Sequence, residues 1–315
     1  QRSKDGIFNL VGLTSEEIIN RIDPNTIIFA VSLMFSQEWT MHRNFLKKVK
    51  KSLPHLIIVV GGEHPTAIPE YVLRDCPEID YVIRGEGEMS FLELVHSVYN
   101  NKNPSKIPGV CFINEKNEFI NNGLSHRIEY INEIPRPAWH LLKVENYFND
   151  YFTSGLARGR NMAILATRGC PYQCTFCSSP SMWTTRYVLR DVDDAINEIK
   201  HYINRFGITS LQFYDLTAII KKSWIVDFCK KLIQEGIRVN WSLPSGTRSE
   251  ALDHETLSLL KQTGCNYLVY APESASSQTL KKIKKKIRLS HLTESVLEAK
   301  RQNIIPRINL IIGFP

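Results

Sequence analysis

Thr167-Arg168-Gly169-Cys170-Pro171-Tyr172-Gln173-Cys174-Thr175-Phe176-Cys177-Ser178-Ser179-Pro180 is the stretch on which the reading of this chain turns. It sets three cysteines in a Cys-x3-Cys-x2-Cys run, with the aromatic Phe176 just before the last. Three thiolates this close on one loop can grip three irons of a cubane cluster. A 4Fe–4S cluster normally takes four cysteines, so three leave one iron open for a small-molecule ligand. Zinc is the main rival, but a closed structural zinc site wants four ligands, and no fourth Cys or His lies near the run. Residues 162–166 just upstream are a short apolar run, which predicts a buried strand delivering the loop.

The chain has 315 residues, 43% hydrophobic and 23% charged, a composition for soluble globular structure with room for two domains. No apolar run reaches the length of about 18 residues that a membrane helix needs. Seven cysteines, three of them in one metal-type run, argue for a reducing compartment rather than a disulfide framework. The start, Gln1-Arg2-Ser3-Lys4-Asp5-Gly6, has neither an initiator Met nor a signal pattern, and reads as a chain entered partway. A formal charge of +7 raises the question of a nucleic-acid partner. The densest basic stretch is Lys281-Lys282-Ile283-Lys284-Lys285-Lys286-Ile287-Arg288. Its two isoleucines, four apart, predict a helix with a thin apolar seam, and a solvated basic face accounts for the charge without nucleic acid.

In the first half, helical patterns over 13–22, 39–53, 71–75 and 91–99 alternate with buried-strand patterns over 26–31, 56–60 and 81–83, and a hairpin follows over 110–120. That order makes a doubly wound, Rossmann-like α/β domain. Ligands of such sheets sit beyond the carboxyl ends of the strands. Three polar segments fall there: 32–36, Gly61-Gly62-Glu63-His64-Pro65-Thr66 and Gly85-Glu86-Gly87-Glu88. Their glycines let a ligand come close to the backbone. Residues 129–160, with Pro135 and Pro137 and several aromatics over 141–152, read as a linker in which Trp139 packs one domain over the other. The second half alternates again. Strands are expected over 162–166, 210–214, 238–242, 266–270 and 307–312, with helices over 191–206, 224–234, 255–263 and 290–302.

The cysteine run in this context resembles the radical S-adenosylmethionine (SAM) enzymes. The resemblance implies that the amino and carboxylate groups of SAM chelate the open iron. An electron from the cluster then cleaves SAM to methionine and a 5′-deoxyadenosyl radical. It also implies a partial (β/α)6 barrel over 161–315, so the five strands ending at Gly313-Phe314-Pro315 leave one strand missing, and both chain ends are expected to be truncated. SAM contacts would come from Phe176 and from the strand ends: Asp215, Arg248, the Glu273-Ser274 pair and Asn309. Leu216-Thr217-Ala218 and Pro272 depart from the family pattern.

The three polar segments of the first half, in order, resemble the cobalamin-binding domain that precedes the barrel in some of these enzymes. Residues 1–128 would be that domain. Ser32, Gly61, Gly62, Glu63, His64, Gly85, Glu86, Gly87 and Glu88 would line the slot for the nucleotide tail and one side of the corrin. The Asp-x-His-x-x-Gly motif that supplies a lower cobalt ligand in many cobalamin proteins is absent, and His64 is no substitute by position. The lower ligand is therefore left unassigned. The implied activity is methylation of an unactivated carbon or phosphorus centre of a small molecule, in the cytoplasm, with a reductant such as flavodoxin or ferredoxin. Three alternatives stay open. One is a cyclase or other radical oxidation without methyl transfer. Another is a tRNA methylthiotransferase, although only Cys76 and Cys111 precede Cys170 here. The last is a non-catalytic cobalamin carrier, which has no use for an open iron.

Overall fold

The computed structural model describes residues 12–148, 159–217 and 219–314. The chain divides into two compact units, with the boundary between Ile128 and Glu129.

In the first unit Thr14 and Glu17 close a reciprocal capping box on α1 (Ser15–Ile19). The elements that follow are β1 (Ile28–Ser32), α2 (Trp39–Ser52), β2 (Ile57–Gly61), α3 (Glu63–Ala67), α4 (Pro69–Asp75), β3 (Tyr81–Ile83), α5 (Gly87–Tyr99), β4 (Val110–Ile113) and β5 (Phe119–Asn121). β1, β2 and β3 pair in parallel, and β4 and β5 extend the sheet antiparallel. Successive strand residues face opposite sides. Ile58, Val60 and Val82 pack with Leu46 and Val49 of α2 and Val72 and Leu73 of α4. Val59 and Ile83 pack with Leu94 of α5. Both faces are covered, and this is why the strands read as unbroken apolar runs.

The second unit holds α6 (Glu145–Phe148), β6 (Asn161–Ile164), β7 (Thr167–Arg168), α7 (Ser179–Trp183), β8 (Val188–Leu189), α8 (Val192–Phe206), β9 (Ser210–Phe213) and α9 (Lys222–Gln234). It continues with β10 (Asn240–Thr247), α10 (His254–Gln262), β11 (Cys265–Glu273), α11 (Ser277–Lys282), α12 (Leu289–Arg301) and β12 (Ile305–Leu310). Five strands in the order β12-β11-β10-β9-β6 form one parallel sheet, while β7 and β8 pair as a small antiparallel ribbon. α8 buries Ala195, Ile196, Ile199 and Tyr202 and stops at Gly207 in the left-handed conformation. Rings of Phe213, Phe228, Trp224 and Trp241 meet edge-on or stacked in the core.

Two expectations change. Trp139, expected to pack one domain on the other, donates its indole N–H to the Tyr202 hydroxyl at 2.8 Å, inside the second unit. The basic stretch 281–288 is not one helix: α11 ends at Lys282, and Lys284 takes a left-handed φ of 54°. Ile283, Lys285 and Ile287 turn inward while Lys284, Lys286 and Arg288 are exposed. Isoleucines four apart suit a period of two as well as a helix, and the strand-like alternation is the one adopted. The linker reading over 141–152 lies partly outside the described residues, as does Ala218.

Two glycines of the first unit separate fold from ligand. Gly62 has φ 103°, and a Cβ there would stand 2.6 Å from the Leu33 carbonyl oxygen. Gly87 has nothing within 4 Å of a built Cβ. Gly62→Ala should therefore destabilise by roughly 1–3 kcal/mol or more. Gly87→Ala should be neutral or stabilise by about 0.4–1 kcal/mol. Denaturant titrations followed by circular dichroism check this pair; equal losses at both positions would contradict it.

Candidate functional site

The cysteine run lies where β6 and the β7 hairpin arm deliver it. Gly169, with φ 83°, turns the chain out of β7, and the Cys177 amide closes a turn onto the Cys174 carbonyl at 3.1 Å. The loop has no strand partner of its own, so other segments hold it. The Thr175 amide donates to the Ile283 carbonyl at 3.1 Å. The Cys174 Sγ lies 4.0 Å from the Lys284 carbonyl, and the Thr217 hydroxyl 3.8 Å from the Cys170 Sγ. Arg248 stacks its guanidinium 3.8 Å over the Tyr172 ring and donates to the Lys286 carbonyl. Phe176 meets the ring of Phe314 with centroids 5.7 Å apart. The stretch 283–286 thus supports the loop carrying the three thiols.

Burial raises the Cys174 thiol above its ordinary pKa, while Lys285 and Arg248 pull it the other way and favour the thiolate. Among the described residues no group of three His, Cys, Asp or Glu could hold a single metal ion. A cubane spreads its ligands over separate irons, so a loop with three thiols suits a cluster without converging on one point. The other four cysteines are buried, and burial pushes Cys76 up to about 12 and Cys229 to about 11. These thiols are inert by comparison.

Beside the loop stand the carboxyl ends of β9, β10 and β11. Asp215, almost fully buried, accepts from the Ala166 amide at 2.9 Å and the Thr167 hydroxyl at 2.6 Å with the same oxygen. It ties the end of β9 to the chain just before the cysteines. Its second oxygen, and the buried Ser242 hydroxyl on β10, find no hydrogen-bond partner among the described residues. They are buried polar atoms at this sheet end left without a partner among the described residues, the kind that calls for an explanation. Glu273 closes β11 with φ 69°, uncommon for a residue other than glycine, and pairs with Lys285 at 3.0 Å. Arg248, besides its stack on Tyr172, lies 3.7 Å from Glu250. Ser274 caps the following turn by accepting from the Ser276 amide at 3.1 Å. Asn309 is half-buried on β12, at the edge of the sheet.

The first unit gathers its expected residues at the carboxyl ends of β1, β2 and β3. Ser32 is exposed at the end of β1, followed by exposed Met34 and Phe35. Gly61 ends β2, and Gly62 and Glu63 open α3. His64 is buried; its Nδ1 lies 2.9 Å from the Ser36 hydroxyl, its ring meets Trp39, and Nε2 has no partner. Burial lowers its pKa, with His42 adding to the effect. Gly85 donates to the Thr66 hydroxyl at 3.1 Å. Glu86 is buried in an ion pair with Arg127 at 2.8 Å and accepts from the Ile128 amide at 2.5 Å. That carboxylate is committed to the chain itself. Gly87 and Glu88 begin α5, and open space beside Gly87 fits a ligand approaching the helix start. Ser242 belonged to the strand end 242–245 expected to face SAM and Thr217 to the segment that departs from the family pattern, whereas Tyr172 and Lys285 were not singled out as site residues from the sequence. Only Lys285 carried a signal, in its alternation with Ile283 and Ile287.

Residues 164–315 match the Radical SAM superfamily and residues 9–95 the B12 binding domain. An uncharacterized methyltransferase of Pyrococcus horikoshii is 30% identical over 301 residues, 95% of this chain and 62% of the relative. An anaerobic magnesium-protoporphyrin IX monomethyl ester cyclase of Synechocystis is 26% identical over 96% of this chain and 59% of its own length. The chain therefore spans about three-fifths of the length of these two relatives. Among solved structures, a cobalamin-dependent S-adenosylmethionine radical enzyme with aqua-cobalamin bound superposes with a TM-score of 0.79 at 19% identity, over 96% of this chain and 43% of that one. That likeness shows the fold.

Asp215 makes stability depend on pH. Burial, partly offset by its hydrogen bonds, raises its pKa from 3.8 to about 6 in the folded chain. The folded state then holds the proton more tightly than the unfolded one. Its stabilising effect is complete below the unfolded value and is lost as pH rises through the folded one. The loss is on the order of 3 kcal/mol. Asp215→Asn should flatten the fall in unfolding free energy between about pH 4 and 6. An unchanged slope, measured with urea across that range, would show that the carboxyl does not titrate this way.

Proposed function

The chain belongs to the radical SAM enzymes that carry a cobalamin-binding domain, and from that premise we propose that it methylates an unactivated carbon or phosphorus centre of a small molecule, using a 4Fe–4S cluster, SAM and cobalamin. The observation that carries the reading is the three-thiol loop set against strand ends with unpartnered polar atoms. When bound, the cluster supplies an electron for cleaving SAM and cobalamin serves as the methyl carrier. Residues 1–128 form the cobalamin domain, 129–160 the connector and 161–315 the radical SAM domain.

Cys170, Cys174 and Cys177 would hold three irons of the cluster and leave the fourth open to SAM. Tyr172 and Arg248 lock the loop in place through their stack. Asp215, Ser242, Glu273, Ser274 and Asn309 offer acceptors and donors to SAM along the sheet end, with Phe176 beside the cluster. Ser32, Gly61, Glu63, His64, Gly85, Gly87 and Glu88 would hold the corrin and its tail at the strand ends of the first unit. In the first unit Gly62 and Glu86 hold the frame. A reductant such as flavodoxin or ferredoxin provides the electron. The buried thiols and the open iron suit a reducing cytoplasm, and no described helix is long and apolar enough to cross a membrane.

A cyclase chemistry is the second reading, favoured by the Synechocystis relative. Product analysis after anaerobic incubation of the full-length protein with SAM, reductant, cobalamin and substrate separates the two. Methyl transfer yields S-adenosylhomocysteine together with 5′-deoxyadenosine, whereas cyclisation yields deoxyadenosine alone. Gly87→Leu, whose Cβ would meet nothing within 4 Å, should abolish cobalamin retention and S-adenosylhomocysteine while uncoupled deoxyadenosine persists. Cys170→Ala, Cys174→Ala and Cys177→Ala combined should remove the roughly four irons per chain. Replacing Cys76, Cys111, Cys229 and Cys265 should not. Iron kept by the triple variant, or deoxyadenosine without S-adenosylhomocysteine from wild type, would overturn the assignment.

A further inference from the structure

The support under the cysteine loop has an outer side. Lys281, Lys282, Lys284 and Lys286 are exposed, and among the described residues none of them enters an ion pair, whereas the inward Lys285 pairs with Glu273. Lys281, Lys284 and Lys286 line one shallow groove together with Tyr172 and Gln173 of the cysteine loop and Thr185. The backbone of this stretch reaches that loop directly at Lys284, whose carbonyl faces the Cys174 Sγ, and indirectly at Lys286, whose carbonyl accepts from the Arg248 that stacks on Tyr172. Gln173, the residue before Cys174, is itself exposed. The route from solvent to the proposed cluster through this groove is therefore one loop thick.

We propose that this groove is the docking surface for an acidic electron-donor protein. The inference rests on the cluster assignment above and adds where the electron enters. Four unpaired ammonium groups within six residues attract a negative partner and speed its encounter, an effect that salt screens. They sit on the segment that contacts the thiol loop, so a partner drawn there is brought close to the metal. One electron would pass from the donor's reduced redox centre to the cluster; that centre is oxidised by one electron and no bond is made between the proteins. A polyanion such as RNA would also be attracted to lysines. It would not need them at the metal loop, and the groove's other wall is the cysteine loop itself.

The test uses the full-length, anaerobically reconstituted enzyme and the double variant Lys281→Glu and Lys282→Glu. The probe donor is flavodoxin: reduced in stopped-flow measurements of cluster bleaching, oxidised in flavin fluorescence-anisotropy binding titrations. The variant should keep its iron content and its rate of bleaching by dithionite. Its flavodoxin affinity and its flavodoxin-driven rate at low salt should each fall about tenfold or more. The gap should close near about 0.5 M salt, where the screening length is only a few ångströms. An equal loss with dithionite would place the lysines in loop support and overturn the proposal. So would unchanged flavodoxin binding, or a wild-type enzyme that accepts electrons from dithionite but none from flavodoxin. Weaker binding of a 20-nucleotide RNA with flavodoxin binding intact would assign the patch to a polyanion instead. A wild-type protein that assembles no cluster would sink the underlying assignment, a failure visible before any donor is added.

Discussion

Everything in the second unit depends on fixing a loop that has no strand partner. Three thiols on a free loop would each sample many positions, and ordering a residue costs about 1–2 kcal/mol. Here the cost is offset by a set of contacts, each worth about 0.5–2 kcal/mol. They are the Arg248–Tyr172 stack, the Thr175–Ile283 backbone bond, the bond to the Lys286 carbonyl and the Asp215 brace behind Thr167. No single one suffices. Several converging on one turn give a loop whose sulfurs stay within reach of one cluster.

The first unit meets a different constraint. Its ligand-side residues sit at three strand ends, and several of them serve the fold itself. Gly62 makes room for the Leu33 carbonyl, and Glu86 holds Arg127 and the Ile128 amide. Gly87 serves no such purpose, since nothing in the chain crowds it. A glycine standing where the chain does not crowd it leaves room for close approach by another molecule. The orphaned Nε2 of buried His64 is the polar counterpart of that space.

Most of the architecture was legible in the residues. Unbroken apolar runs and amphipathic stretches give the strands and helices of both units, because burial on both faces or one face writes itself directly into side-chain order. The cysteine spacing gives the loop. What stayed hidden lies in tertiary contacts. Arg248 could be placed at a strand end, but nothing in the sequence pairs it with Tyr172, 76 residues away by numbering. The run 281–288 offered two periods at once, and the helix was the wrong one because Lys284 turns left-handed to reach the cysteine loop. Likewise, a glycine in a tight turn and a glycine beside a ligand look the same until the neighbouring carbonyl is seen.

The central claim is that three cysteines of one loop hold a cluster whose fourth iron is left for SAM. Mössbauer spectroscopy of full-length protein reconstituted with iron-57 reads this directly. One iron in four should be distinct from the rest, and its isomer shift should move when SAM is added while the other three stay put. Four equivalent irons, or a spectrum that SAM leaves unchanged, would contradict it.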